Sequence, residues 1–120
     1  MPDSHQIKPE DRLLRWLHPG QFNWVENRPT SAAFKDEEMS VDILSMTTVA
    51  ESYERAKKIG KNAVASLGCQ DVLDLGLEIK YNPIEGNDAH TLILGNKTKS
   101  IARKLASKCQ IEVHPPENNS

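Results

Sequence analysis

Apolar positions in this chain fall into short blocks cut by turn residues, and the period of each block predicts its element. Arg12-Leu13-Leu14-Arg15-Trp16-Leu17-His18 reads as a first strand with imperfect alternation, stopped by Pro19-Gly20. Phe22 and Trp24 mark a short extended piece, and Met39 to Leu44 reads as a second strand. Thr47 and Thr48 are good N-caps, with Glu51 at capping-box spacing from Thr48. Val49, Ala50, Tyr53 and Ala56 then recur at helical spacing, and Gly60 stops that helix.

The second half repeats the logic. Ala63-Val64-Ala65-Ser66-Leu67 is a weak strand candidate, and Gln70 to Leu75 reads as one or two helical turns closed by Gly76. Leu77-Glu78-Ile79-Lys80-Tyr81 alternates cleanly up to Asn82-Pro83. His90-Thr91-Leu92-Ile93-Leu94 is the best buried strand, with His90 in phase with Leu92 and Leu94 and so expected as a hydrogen-bonded core histidine. A helix from about Thr98 to Cys109 presents Ile101, Ala102, Leu105 and Ala106 to the core, and Ile111-Glu112-Val113 is a last short strand. Interleaved strands and helices predict an α+β fold, a small single-domain mixed sheet with two to three helices packed on it. The expected domain runs from 10 to 114, between flexible polar tails at 1–9 and 115–120.

Composition narrows this picture. One domain of 120 residues can bury a core without staples, and 38% hydrophobic with 27% charged residues suits a folded globule. Only six aromatics are present, so Leu, Ile, Val and Ala must carry the core. No apolar run reaches the roughly 18 residues that span a bilayer. The polar start, Met1-Pro2-Asp3-Ser4-His5-Gln6, lacks a signal-peptide region, which predicts a cytoplasmic protein with no membrane partner. In that compartment Cys69 and Cys109 are expected to stay reduced. The net charge of −2 is too balanced for the whole surface to attract nucleic acid.

Local charge says more. Asn27-Arg28-Pro29-Thr30-Ser31-Ala32-Ala33-Phe34-Lys35-Asp36 has no regular period, yet it sets an arginine, a lysine and hydroxyls around one buriable ring. Phe34 is expected to be a buried anchor that holds Arg28 and Ser31 in a fixed arrangement. From Ala89 to Gln110 there is no acidic residue, while Lys97, Lys99, Arg103, Lys104 and Lys108 supply positive charge. The helix predicted there starts with Lys97 and Lys99, which its dipole disfavours. An anion on Gly95–Ser100 would resolve that conflict, and phosphate is the natural candidate. The spacing is not that of a Walker loop. Four histidines and two cysteines without close paired spacing predict no metal site, Cys109 with His114 being a weak pair. Nothing resembles a nucleophile elbow.

Two resemblances add to this. Arg28-Pro29-Thr30-Ser31-Ala32-Ala33-Phe34, Leu44 after its strand, Ala89-His90 and Gly95-Asn96-Lys97-Thr98-Lys99-Ser100 resemble an uncharacterised family of small bacterial proteins. That likeness covers most of the chain from Arg12 onward and implies bacterial origin but no activity. Leu14-Arg15-Trp16 and the segment Leu44 to Glu54 are similar to the RES domain, an ADP-ribosyltransferase-like fold. The RES likeness implies an NAD-degrading or ADP-ribosyl-transferring enzyme, with NAD as substrate and Arg15, Ser45 and Glu54 as its site. The glycine-arginine-tryptophan-asparagine stretch of that family is replaced here by Asn27-Arg28-Pro29-Thr30.

The residues themselves favour a domain that binds an anionic partner, whether nucleotide, nucleic acid or protein, without catalysis or cofactor. Arg28, Ser31, Lys35, Lys97, Lys99 and Arg103 are its expected contacts. A subunit of a larger bacterial assembly is the third reading, favoured by an exposed apolar patch around Phe22 and Trp24.

Overall fold

A computed structural model describes residues 7–116. Six strands build one sheet: β1 (Arg12–Leu17), β4 (Glu38–Ile43), β5 (Ala63–Gly68), β6 (Glu78–Tyr81), β7 (His90–Leu94) and β8 (Gln110–Val113). Their order is β6-β7-β4-β1-β5-β8, and β2 (Phe22–Asn23) with β3 (Arg28–Pro29) forms a separate two-stranded ribbon. The helices are α1 (Val49–Lys57), α2 (Cys69–Asp74) and α3 (Lys99–Lys108). The fold is α+β as expected, and its pairings are antiparallel throughout rather than mixed.

The two faces of the sheet are covered differently. Leu13, Leu17, Met39, Val41, Ile43, Leu67 and Ile93 face the main core, against Val72 of α2, Ala102, Leu105 and Ala106 of α3, and Phe34. Leu14 and Val64 are buried on the other face, which α1 covers with Ala56. Both β1 and β5 are therefore buried on two faces. That is why neither alternates cleanly in sequence.

Two phases differ from expectation. In β7 the buried residues are Thr91 and Ile93, because Val41 pairs with Thr91 and Met39 with Ile93. Leu92 and Leu94 are only half-buried, and His90 shares their face instead of entering the core. Its hydrogen bonds do exist, to the Asn82 carbonyl at 2.8 Å and the Ser40 hydroxyl at 3.2 Å. In α1 the inward residues are Ser52 and Ala56, while Ala50 is exposed. Polar chemistry sets that rotation: Ser52 donates to buried Asp42 at 2.7 Å and accepts from the Trp16 indole at 2.7 Å.

The helix starts are capped by threonines, Thr48 as predicted and Thr98 at the start expected for the last helix. The Thr48 hydroxyl accepts from the Glu51 amide at 3.1 Å, and that of Thr98 from the Ile101 amide at 3.2 Å. Gly60 takes φ +82° where α1 ends. Packing reaches past the expected 10–114 limits, since Ile7 rests on the core and Pro115 is buried. The rest of the expected tails, 1–6 and 117–120, lies outside the described residues. Among those described, no helix is long and apolar enough to cross a membrane.

Candidate functional site

The segment from Asn27 to Asp36 is held from below. Ser31–Phe34 form one 3-10 turn that drops Ala33 and Phe34 into the core, both with no exposed surface. Phe34 is thus the buried anchor expected of it. Arg15 fastens the same turn from the sheet: its guanidinium donates to the Ala33 carbonyl at 2.9 Å, the Ser40 carbonyl at 2.9 Å and Asp36 at 3.2 Å. Burial lowers the pKa of Arg15, and the adjacent Asp36 carboxylate opposes that shift.

Pinning this turn against α3 opens a groove of about 520 Å3. One wall is the ribbon and turn, contributing Asn23, Glu26, Arg28, Thr30 and Ser31; the other is α3, contributing Arg103, Lys104 and Ser107. Asn23 shapes its wall by accepting at 3.0 Å from the amides of Val25 and Glu26. Arg28 is half-exposed and bound to Glu26, with Nη2 at 2.6 Å and Nε at 2.7 Å from one carboxylate oxygen. The Thr30 hydroxyl is buried without a hydrogen-bond partner, a deficit of about 1–3 kcal/mol for a group of this kind.

Three of the six expected contacts, Arg28, Ser31 and Arg103, meet in this groove. The other three do not. Lys35 is exposed beyond the 3-10 turn, and Lys99 is exposed at the start of α3, one turn before Arg103. Lys97 turns inward: its ammonium donates to the carbonyls of Glu37 (3.1 Å), Ile93 (2.9 Å) and Gly95 (2.9 Å). It is 6% exposed, and burial lowers its pKa. For Lys97 the dipole conflict read from sequence is settled by these carbonyls, which take up its donors, while Lys99 stays exposed in the first turn of α3. Lys104 and Thr30 complete the groove and were not among the expected contacts. Lys104 follows Arg103 on an amphipathic helix whose other face is apolar, which was the available signal.

The RES triad is spread apart. Arg15 faces the main core, whereas its neighbour Trp16 reaches Ser52 of α1 on the opposite face. Glu54 sits on α1, paired with Lys57 at 2.8 Å, so the sheet stands between it and Arg15. Ser45 is exposed in a turn after β4. A second polar cluster lies under α1, where Asp42 accepts from Ser52 (2.7 Å), Arg55 (2.8 Å) and Asn87 (2.7 Å). Asp42 and Ser52 are buried, and these bonds tie α1 to the sheet.

Phe22, Trp24 and His114 stack edge-to-face, with centroids 4.9 to 5.5 Å apart, and fasten the ribbon to the chain after β8. Trp24 is 47% exposed and Val25 96%. Their apolar surface is a ribbon tip rather than a broad face. Both thiols are free, Cys69 buried and Cys109 half-buried. No protein-family model, curated protein or solved structure matches this chain.

Proposed function

We propose that this protein binds an anionic partner, a nucleotide, nucleic acid or acidic protein segment, in the groove between α3 and the Arg28–Ser31 loop, without catalysis of its own. The observation that supports it most is that Arg28, Arg103 and Lys104 line one concavity together with Thr30, Ser31 and Ser107. Guanidinium groups pair with phosphate or carboxylate oxygens in a bidentate fork, and a lysine adds a point charge. Phe34 and Arg15 hold one wall before any ligand arrives, which lowers the ordering cost of binding. Titration of nucleotides, oligonucleotides and acidic peptides at low and moderate salt tests the reading. Arg103→Glu combined with Lys104→Glu should abolish the tightest interaction and flatten its salt dependence. Unchanged affinity and slope in that double variant would remove the groove from consideration.

A further inference from the structure

The charges in the groove are few and unequal, and one is already answered. Arg28, Arg103 and Lys104 stand against a single carboxylate, Glu26, so three cations less one anion leave two positive charges in about 520 Å3. A phosphate monoester at neutral pH carries close to two negative charges and three acceptor oxygens. Glu26 presents one oxygen to both Nη2 and Nε of Arg28, at 2.6 and 2.7 Å, and so occupies the guanidinium edge that would otherwise take two oxygens of a phosphoryl group. The pair is exchangeable, because the two side chains are 45% and 51% exposed and ion pairs in water are weak. The carboxylate is nevertheless well placed, since its backbone is fixed by the Asn23 turn.

Resting on the anion-binding reading, we propose that the groove takes a compact phosphate monoester, and that Glu26 is the internal carboxylate the ligand displaces from Arg28. A single phosphoryl group can be matched by Arg28, Arg103 and Lys104 together. A long polyanion brings more negative charge to the same lining, where Glu26 opposes it. Ser31 supplies a hydroxyl donor. Thr30 supplies a second once its side chain rotates about χ1, and its hydroxyl, buried and unpartnered, has no hydrogen bond to give up. A free small-molecule ester and a phosphorylated side chain offer the same group to these residues.

The test is a backbone-amide NMR titration of the full chain with inorganic phosphate, AMP, a phosphoserine tetrapeptide and a twelve-residue oligothymidylate. Phosphate and AMP or the phosphopeptide should shift the amides of Thr30, Ser31 and Arg103, and the tighter of the last two identifies the source of the group. Glu26→Gln should tighten that binding about two- to five-fold by freeing Arg28. Thr30→Val should weaken it several-fold while the melting temperature holds or rises. Oligothymidylate binding tighter than every monoester, with Glu26→Gln neutral, overturns the compact-ester assignment and leaves the anion groove standing. Weaker monoester binding by Glu26→Gln overturns the displacement. No groove amide responding to any of the four anions removes both the assignment and the groove.

Discussion

Lys97 and Arg103 belong to one basic stretch, six residues apart, yet they are different kinds of cation. Lys97 precedes α3, and its ammonium is surrounded by three backbone carbonyls that tie β7 to the approach of β4. Arg103 stands at mid-helix over open space, with Lys104 beside it and Arg28 across the groove. The first has exchanged water for carbonyl oxygens and become part of the framework. The second keeps its water. A charge run in sequence counts both alike, and only the closure of the chain around each separates them.

The largest expected effect tests the floor on which the open cations stand. Phe34 has no exposed surface, and Phe34→Ala should cost about 3–5 kcal/mol by thermal or denaturant unfolding. A variant that melts like the parent would mean the Arg28–Ser31 wall is loose and the contrast with Lys97 is overdrawn. Next comes Lys97→Met, which keeps the aliphatic stem and takes the ammonium away from three carbonyls, that of Glu37 keeping the Gly95 amide at 3.1 Å. It should cost about 1–3 kcal/mol, the loss of charged hydrogen bonds being partly offset by relief of desolvation. Lys99→Met, two residues on and exposed, should stay within about 0.5 kcal/mol. Equal effects from the two lysines would erase the distinction.

Alkaline pH sharpens the same contrast between buried and open groups. Burial pushes the Cys69 thiol up to about 12 and that of Cys109 up to about 11, from an ordinary 9.0. Above pH 9 the unfolded chain therefore loses thiol protons that the folded chain keeps. Stability should fall as pH rises through that window, by about 1.4 kcal/mol per unit for a fully protected thiol. Lys97 works the other way. Burial lowers its pKa below the ordinary 10.5, so near that range the unfolded chain holds a proton the folded chain releases, and stability rises with pH. Urea unfolding from pH 8 to 11 should thus show a flatter decline in Cys69→Ala and a steeper one in Lys97→Met. Parallel curves for all three proteins would mean these groups titrate alike folded and unfolded.

How much of this was legible depends on how local each signal was. Thr48 announced its helix because a cap needs only a hydroxyl and an amide three residues on, a signal that Thr98 carries as well and that was not used there. Phe34 was legible because no other residue of its loop could bury comparable area. The phase of β7 was not. Leu92 and Leu94 are more hydrophobic than Thr91, but pairing with Val41 and Met39 decides which side faces the core, and those partners are some fifty residues away. Ser52 of α1 is buried for the same non-local reason, since its partners Asp42 and Trp16 sit on two other elements. In the groove, Arg28 and Ser31 were recoverable as exposed-type residues flanking an anchor, and Arg103 as part of a basic stretch with no acidic residue. The withdrawal of Lys97 depended on a carbonyl cage no local window contains.

The smallest effect on stability carries the most information about function. Arg28 and Arg103 line the groove wall, and the only ion pair described for Arg28 is its half-exposed one to Glu26. Arg28→Ala and Arg103→Ala should each move the unfolding free energy by less than about 0.5 kcal/mol, the scale of an exposed ion pair. In the binding titration each should cost about 1.5–3 kcal/mol, the value of a charge-assisted hydrogen bond, which is about ten-fold or more in affinity. The converse holds for Arg15→Ala. Arg15 has three partners, two of them backbone carbonyls, and sits on the core side of the sheet, so its loss should lower stability well before it touches any direct contact. The decisive measurement is therefore a pair of numbers for each variant, melting and affinity. If Arg28→Ala and Arg103→Ala lower the melting temperature as much as Arg15→Ala does, the groove cations are framework like Lys97, and the open half of the comparison no longer exists.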